Sequence, residues 1–302
     1  MTQVHHYGSA RELDFYIERY RSYVRSAYFA KNAFIAHKTH LESMTGDSWE
    51  YSQAKDWESG FNFALHAQRH HNEARWFLRQ AYNYRLVHFK RHLFPQQSHE
   101  LRIEDVAINR PGERLSHGIH PSDWYDTIML ALAYNEGEAL AWLDKFDKQA
   151  MDYDANARFI QPLQLAEFHI VKAILKPQSR DLVQTIQAYM QVDVSGGADK
   201  DAFYAHNYSL PKIDCLLSVF CHEDEQTYLQ KMNDALDKFA ASAKKADQDD
   251  DLFPDFALAL LGPARLAYRN KGYLIPDHPY LPQWLITEDL HEMAPPPQPD
   301  SL

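Results

Sequence analysis

Between residues 10 and 44 the apolar side chains recur at steps of three and four. Phe15, Tyr16, Ile17, Tyr20, Tyr23, Val24, Ala27, Phe34, Ile35 and Leu41 form the series, with Arg and Lys between them. That spacing predicts one long amphipathic helix, whose aromatic stripe needs a large opposing surface. Ser9 is a candidate cap, and Glu12 three residues later completes a capping-box pattern. Thr45-Gly46-Asp47 breaks the run, and Ser48 is positioned to cap a second helix from Trp49 to Arg69. The same pattern continues through Trp76, Phe77, Ala81 and Val87 to Leu93, with His70-His71-Asn72 as a bend. Pro95 stops it, because proline lacks the donor a helix interior requires.

Residues 95–122 read as the longest irregular connection, with turn chemistry at Pro111-Gly112 and Gly118-Ile119-His120-Pro121. Beyond it, Ser122 or Asp123 is expected to cap a helix from Trp124 to about Tyr134. Further helices are predicted near 136–149, 158–175, 178–191, 208–220, 225–246 and 253–270, with breaks at Lys176-Pro177, Gly196-Gly197, Pro211 and Pro254. Pro211 and Pro254 suit first-turn positions. No segment shows several clean strand alternations, and the prolines of "YLIPDHPYL" exclude a central strand. The expected fold is therefore all-α, an irregular multi-helix bundle or solenoid-like stack of about nine or ten helices. An extended C-terminal segment packs on it. One domain is expected over residues 1–286, interrupted by the connection at 95–122, with 287–302 a flexible tail.

At 302 residues the chain can bury a substantial core. Cys215 and Cys221 cannot make a tetrahedral metal site alone, and they read as buried free thiols in a reducing compartment. The opening residues lack a secretion-signal apolar core, and no apolar run reaches the ~20 residues a membrane-spanning helix needs. Cytoplasmic residence is the resulting expectation, without membrane contact. The net charge of -11 is uneven: residues 1–100 carry +3 and the remainder -14. A general nucleic-acid binder needs concentrated basic charge, so that class is disfavoured, while attraction of a basic protein is allowed.

Seventeen histidines invite a metal reading. His66 and His70 lie four apart, as do His88 and His92, and two such pairs on facing helices could supply four nitrogens. The setting is basic, however, with Arg69, Arg75, Arg85, Lys90 and Arg91 around them and no His-Glu-x-x-His arrangement. Surface or core-edge histidines explain the pattern better. The carboxylate groups Asp56/Glu58, Asp144/Asp147, Asp152/Asp154 and Asp247 to Asp251 read as solvated faces and helix-start caps. The last lacks the glycine and terminal glutamate of a calcium loop. No nucleophile elbow and no phosphate-cradling glycine loop is present. No residue is singled out as catalytic, cofactor-binding or metal-binding, and the expectation is a non-enzyme. The aromatics of residues 49–89, Trp49, Tyr51, Trp57, Phe61, Phe63, Trp76, Phe77, Tyr82, Tyr84 and Phe89, read mainly as core.

Near the C-terminus stands "FPDFALALLGPARLAYRNKGYLIPDHPYLPQWLI". Gly272 can end the helix in a left-handed cap, and Pro276, Pro279 and Pro282 restrict the unfolded chain. Tyr273, Leu274, Ile275, Tyr280, Leu281, Trp284 and Leu285 can then cover exposed helix ends. This segment resembles the C-terminal part of the bacterial immunity protein 49 family. Phe256, Leu258, Leu261, Ala264, Ala267 and Tyr268 fall on the helix, and Pro279-Tyr280-Leu281-Pro282 forms the close. "SWEYSQAKDWESGFNFALHA", with Gly60, Phe61, Phe63 and Ala64, is similar to the family's early helix. The resemblance implies a non-enzymatic immunity protein that binds and neutralises a cognate antibacterial toxin in the cytoplasm by occlusion, without cofactor. It transfers no set of toxin-contacting residues. Two alternatives stand beside it: a metal-dependent helical enzyme using the His/carboxylate residues of 56–92, and a helical scaffold for endogenous proteins. A homo-oligomer is compatible with all three.

Overall fold

A computed structural model describes residues 13–45, 49–115, 118–152, 160–176, 182–192, 203, 205–221, 223–248 and 256–298. Ser9, Glu12, Ser48, Asp154, Gly196-Gly197 and Pro254 lie outside them, as do Asp249 to Asp251. Twelve α-helices and one hairpin occupy the described residues, an irregular multi-helix bundle. The chain divides into two units, residues 1–119 with 289–302, and residues 120–288.

In the first unit, α1 (Leu13–Ala36) carries the long stripe, and α2 (Lys38–Ser43) follows it. Tyr16, Tyr20, Val24, Ala27 and Phe34 are buried, whereas Phe29 and Ile35 face solvent. α3 (Trp49–His66) and α4 (His71–Leu93) are separate helices. Gln68, at φ 55, turns the chain between them. His70 caps α4, its Nδ1 accepting from Asn72 N at 3.2 Å. α3 and α4 approach closely at Gly60, where a Cβ would stand 2.4 Å from the Phe77 ring, so only glycine fits this crossing. Trp57, Phe61, Trp76, Phe77, Tyr82, Tyr84 and Phe89 are buried, as expected of core aromatics.

The connection expected to be irregular contains a β-hairpin. β1 (Ser98–Ile103) pairs antiparallel with β2 (Val106–Pro111), Ile103 opposite Val106 and Ser98 opposite Pro111. Its alternation is visible in "SHELRI", where His99, Leu101 and Ile103 are buried between exposed neighbours. The turn is Glu104-Asp105, with Glu104 at φ 52, not one of the glycine-bearing pairs that usually mark a tight hairpin.

The expected tail begins at residue 287, and its described part makes specific contacts. Residues 289–298 lie against the first unit: Arg75 donates to Asp289 O at 2.8 Å, Ala294 N to Asn72 O at 3.2 Å, and the Tyr28 hydroxyl to Pro296 O at 3.0 Å. Leu290 is buried. Proline-rich chain has few donors to satisfy and little entropy to lose, so two accepted bonds and one donated bond fix its path.

The second unit begins with α5 (Pro121–Tyr134), capped not by Ser122 or Asp123 but by His120, whose Nδ1 accepts from Ser122 N. Asn135 ends it in a left-handed conformation, and α6 (Gly137–Leu143) follows, shorter than expected. The remaining helices are α7 (Pro162–Leu175), α8 (Leu182–Met190), α9 (Leu210–Phe220), α10 (Glu225–Gln248), α11 (Leu258–Lys271) and α12 (Gln283–Thr287). A single π-helical turn, Ala205–Ser209, leads into α9. α11 packs on α5 with Gly262 at the contact, where a Cβ would meet Met129 O at 2.7 Å.

Gly272 closes α11 at φ 74, as its position after the apolar run predicts. The segment beyond it covers the second unit: Ile275, Tyr280, Leu281, Leu285 and Ile286 are buried, while Tyr273, Leu274 and Trp284 are half-buried. Polar bonds fix its path. Ala257 N donates to Tyr280 O at 2.7 Å, Gln283 Nε2 to Ile275 O at 3.0 Å, and Arg265 to Ala133 O, Leu285 O and Glu288 O at 2.6–2.8 Å.

Candidate functional site

The two histidine pairs do not converge. His66 ends α3, half-buried with its ring 5.1 Å from Tyr16, and exposed His70 is committed to its cap. His88 and His92 lie one turn apart on α4, both buried. His92 Nδ1 accepts from Leu115 N at 3.0 Å, and the His88 ring lies 5.8 Å from Tyr51. The neighbouring acids have other partners. Glu58 is bound by Arg85 at 2.6 Å and Lys55 at 3.3 Å; burial pushes its carboxyl up, but these cations outweigh it and hold it below the usual range. Glu73 is paired with Arg69 at 3.2 Å and takes a short bond from the Tyr20 hydroxyl. Among the described residues, no group of three or more His, Cys, Asp or Glu is arranged to hold a metal ion.

His88 instead marks a pH liability. Burial, aided by His92, Arg91 and Arg85, lowers its pKa to about 3. A folded-state pKa below the unfolded value means that the unfolded chain binds the proton more readily. Its contribution is complete above the ordinary histidine range and is lost as pH falls from about 6.5 towards about 3. Urea denaturation between those limits should show a slope of about 1.4 kcal/mol per pH unit attributable to this ring. His88→Leu should flatten the slope by that amount; an unchanged pH profile would refute a neutral, buried His88.

The thiols do not meet either. Both are free; Cys215 is buried, and its burial pushes the thiol far up, away from reactivity. Cys221, expected to be buried, is exposed because it lies at the C-cap of α9. Asp144 Oδ2 pairs with Lys176 at 2.5 Å, and Asp147 Oδ1 accepts from Ala150 N. These acids thus serve local structure.

An open, cleft-bearing surface lies instead on α7 and α8 of the second unit. From beneath, α7 is fastened by Glu167, 3.3 Å from Lys212 on α9, both deeply buried. The Lys212 ammonium also lies 4.1 Å from the Tyr125 ring centroid and 4.9 Å from that of Tyr208. α8 is held mainly by Tyr189, its one buried side chain. Its outer face carries Val183, 65% exposed, and Met190, 70% exposed, with half-buried Ile186 between them. Positions seven apart fall on one side of a helix, so these side chains form an apolar ridge. No residue of α8 is charged.

Clefts flank the contact between the two helices. One, of about 450 Å³, is lined by His169, Lys172 and Lys176 from α7 and Gln184, Thr185 and Ala188 from α8. The other, of about 410 Å³, shares His169, Thr185 and Ala188 and runs on to Ile160, Leu165 and Val192. Lys172 donates to Asp144 O and Phe146 O at 2.7 and 2.5 Å, so its stem is fixed, while Lys176 is more than half exposed. Burial lowers the pKa of His169, with Lys148 and Lys172 adding to the shift. The residue pattern of α8 was legible as a helix, but only the tertiary structure leaves its apolar side uncovered.

No family model, no curated protein and no solved structure matches this chain. None of its helices, among the described residues, is long and apolar enough to cross a membrane.

Proposed function

We propose that the chain is a toxin-immunity protein that acts by binding, with the α7–α8 face of its second unit as the docking surface. The carrying observation is the uncharged α8, with Val183 and Met190 mostly in solvent beside two clefts. A solvent-facing helix ordinarily presents charged side chains there, and exposed apolar ridges beside concavities mark protein contacts. Residues 256–286 add the resemblance to immunity protein 49. The partner in this reading is the cognate antibacterial toxin, met in the cytoplasm of the producing cell and occluded sterically. The acidic balance of residues 101–302 would draw in a basic toxin from a distance, while the ridge would provide the desolvated centre of the contact.

Co-expression of this chain with the toxin encoded beside it is the test. Growth should be restored, and the two proteins should copurify. The double variant Val183→Glu/Met190→Glu should lose protection while melting within a few degrees of the parent, because both side chains face solvent. Unrelieved toxicity with the parent chain would refute the immunity reading.

A further inference from the structure

We infer that internal water joins Glu167 on α7 to Tyr189 on α8 and to Ser209 at the entry of α9, making a hydrated polar site inside the second unit. Four buried oxygens make the case. Glu167 Oε1, Tyr189 Oη, Ser209 Oγ and, from α5, Tyr125 Oη are enclosed and have no hydrogen-bond partner among the described residues. None of the four residues is more than 4% exposed. A polar atom buried dry gives up its bond to water for nothing, so such atoms are ordinarily paired with protein or with ordered water. The carboxylate is their common neighbour. Burial, and after it the charge of Glu167, pushes both the Tyr125 and the Tyr189 phenol up. Ser209 faces the Tyr189 hydroxyl without completing a bond to it. Lys212, on the turn after Ser209, holds Glu167 Oε2 at 3.3 Å, which fixes the carboxylate and leaves Oε1 over.

Chemistry selects the occupant. An apolar group would leave every one of these oxygens unpaired, and an anion would meet the carboxylate. A cation would stand beside the Lys212 ammonium, which outweighs Asp126 among the charges acting on Glu167. A calcium ion would in addition ask for about six to eight oxygen ligands. Water is neutral, needs only two to four polar partners, and both donates and accepts. It therefore serves Glu167 in either protonation state, although burial raises that carboxyl against the pull of Lys212. The consequence falls on α8. Tyr189 is its one buried side chain, so a bridge at the phenol ties this helix to α7 and α9. A water bridge of this kind is nearly as favourable as a direct hydrogen bond.

The sign of two small deletions in the full chain tests this. Tyr189→Phe and Ser209→Ala each remove one hydroxyl and keep the Glu167–Lys212 pair. A dry, unpaired hydroxyl is a burden, so its removal would tighten the fold; a bridged one is a support, so its removal loosens it. Hydrogen exchange should show the amides of α8 opening at least about threefold faster in each variant than in the parent. The double variant should add little to the larger single effect, because both hydroxyls serve one bridge. A crystal structure of the parent chain should place a water within about 3.2 Å of Glu167 Oε1, and it decides the matter if a variant fails to fold. Unchanged or slower exchange in either folded variant would overturn the inference. So would a direct bond from Glu167 to either hydroxyl, an ion in the place of water, or no water at Oε1.

Discussion

Replacing Glu50 by Ala is expected to unfold or severely loosen the first unit. Glu50 is fully buried, and its two oxygens each lie 2.5 Å from a fully buried guanidinium, Oε2 from Arg91 and Oε1 from Arg110. The arginines are also held by carbonyls: Arg91 Nε donates to Pro111 O at 2.8 Å, and Arg110 makes a short bond to Leu41 O. Glu113 approaches Arg91 at 3.4 Å but is partly exposed, so it cannot replace a carboxylate placed between both cations. Removing Glu50 leaves two cations in a low-dielectric interior, where losing one partner of a buried ion pair costs about 3–5 kcal/mol. Net stability of a domain is about 5–15 kcal/mol, so the loss is a large fraction of it. Urea denaturation followed by the fluorescence of Trp49, Trp57 and Trp76 would measure it. Replacing all three charged residues with apolar side chains of similar volume should recover most of the loss, because desolvation then disappears along with attraction. A change below about 1 kcal/mol in Glu50→Ala would show that the cations are neutralised in some other way.

Truncation after Lys271 is expected to abolish cooperative folding of the second unit. Among the buried side chains that the deletion removes from the second unit are Ile275, Tyr280, Leu281, Leu285 and Ile286. Each contributes about 1.5–3 kcal/mol of apolar burial before the cost of ordering is subtracted. It also strands Arg265, which is buried and donates to Leu285 O and Glu288 O. A chain ending after Glu288 is the control, since it keeps this cover and loses only Asp289 and the residues after it. It should stay cooperative, with the first unit weakened through the lost bonds from Arg75 and Tyr28. Scanning calorimetry and hydrogen exchange distinguish the two. If the shorter protein melts like the parent, residues 272–286 do not close the core.

Much of the helical architecture was readable because its signals are local. The stripe of α1, the break near His70, Pro211 in the first turn of α9 and the glycine cap at Gly272 each depend on a few neighbouring residues. The hairpin at 98–111 escaped for two reasons. Its turn, Glu104-Asp105, lacks glycine, and each strand has only six residues. The alternation of "SHELRI" was present, and the length of unstructured chain it would otherwise leave was itself a warning. The tail at 289–298 could not be foreseen, since its anchors Asn72, Arg75 and Tyr28 are more than two hundred positions away.

The sequence by itself determined that the chain is mostly helical, that its aromatics are largely core, and that an apolar, proline-stiffened segment covers helix ends near the C-terminus. Periodicity, caps and prolines act over one or two turns, and burial follows from hydrophobicity. Only the tertiary structure decided that Glu50 joins Arg91 to Arg110, that His88 is neutralised by burial, and that α8 keeps Val183 and Met190 in solvent. Those outcomes depend on which groups distant segments bring together or leave uncovered. Identical side chains are core or contact surface according to what is packed against them.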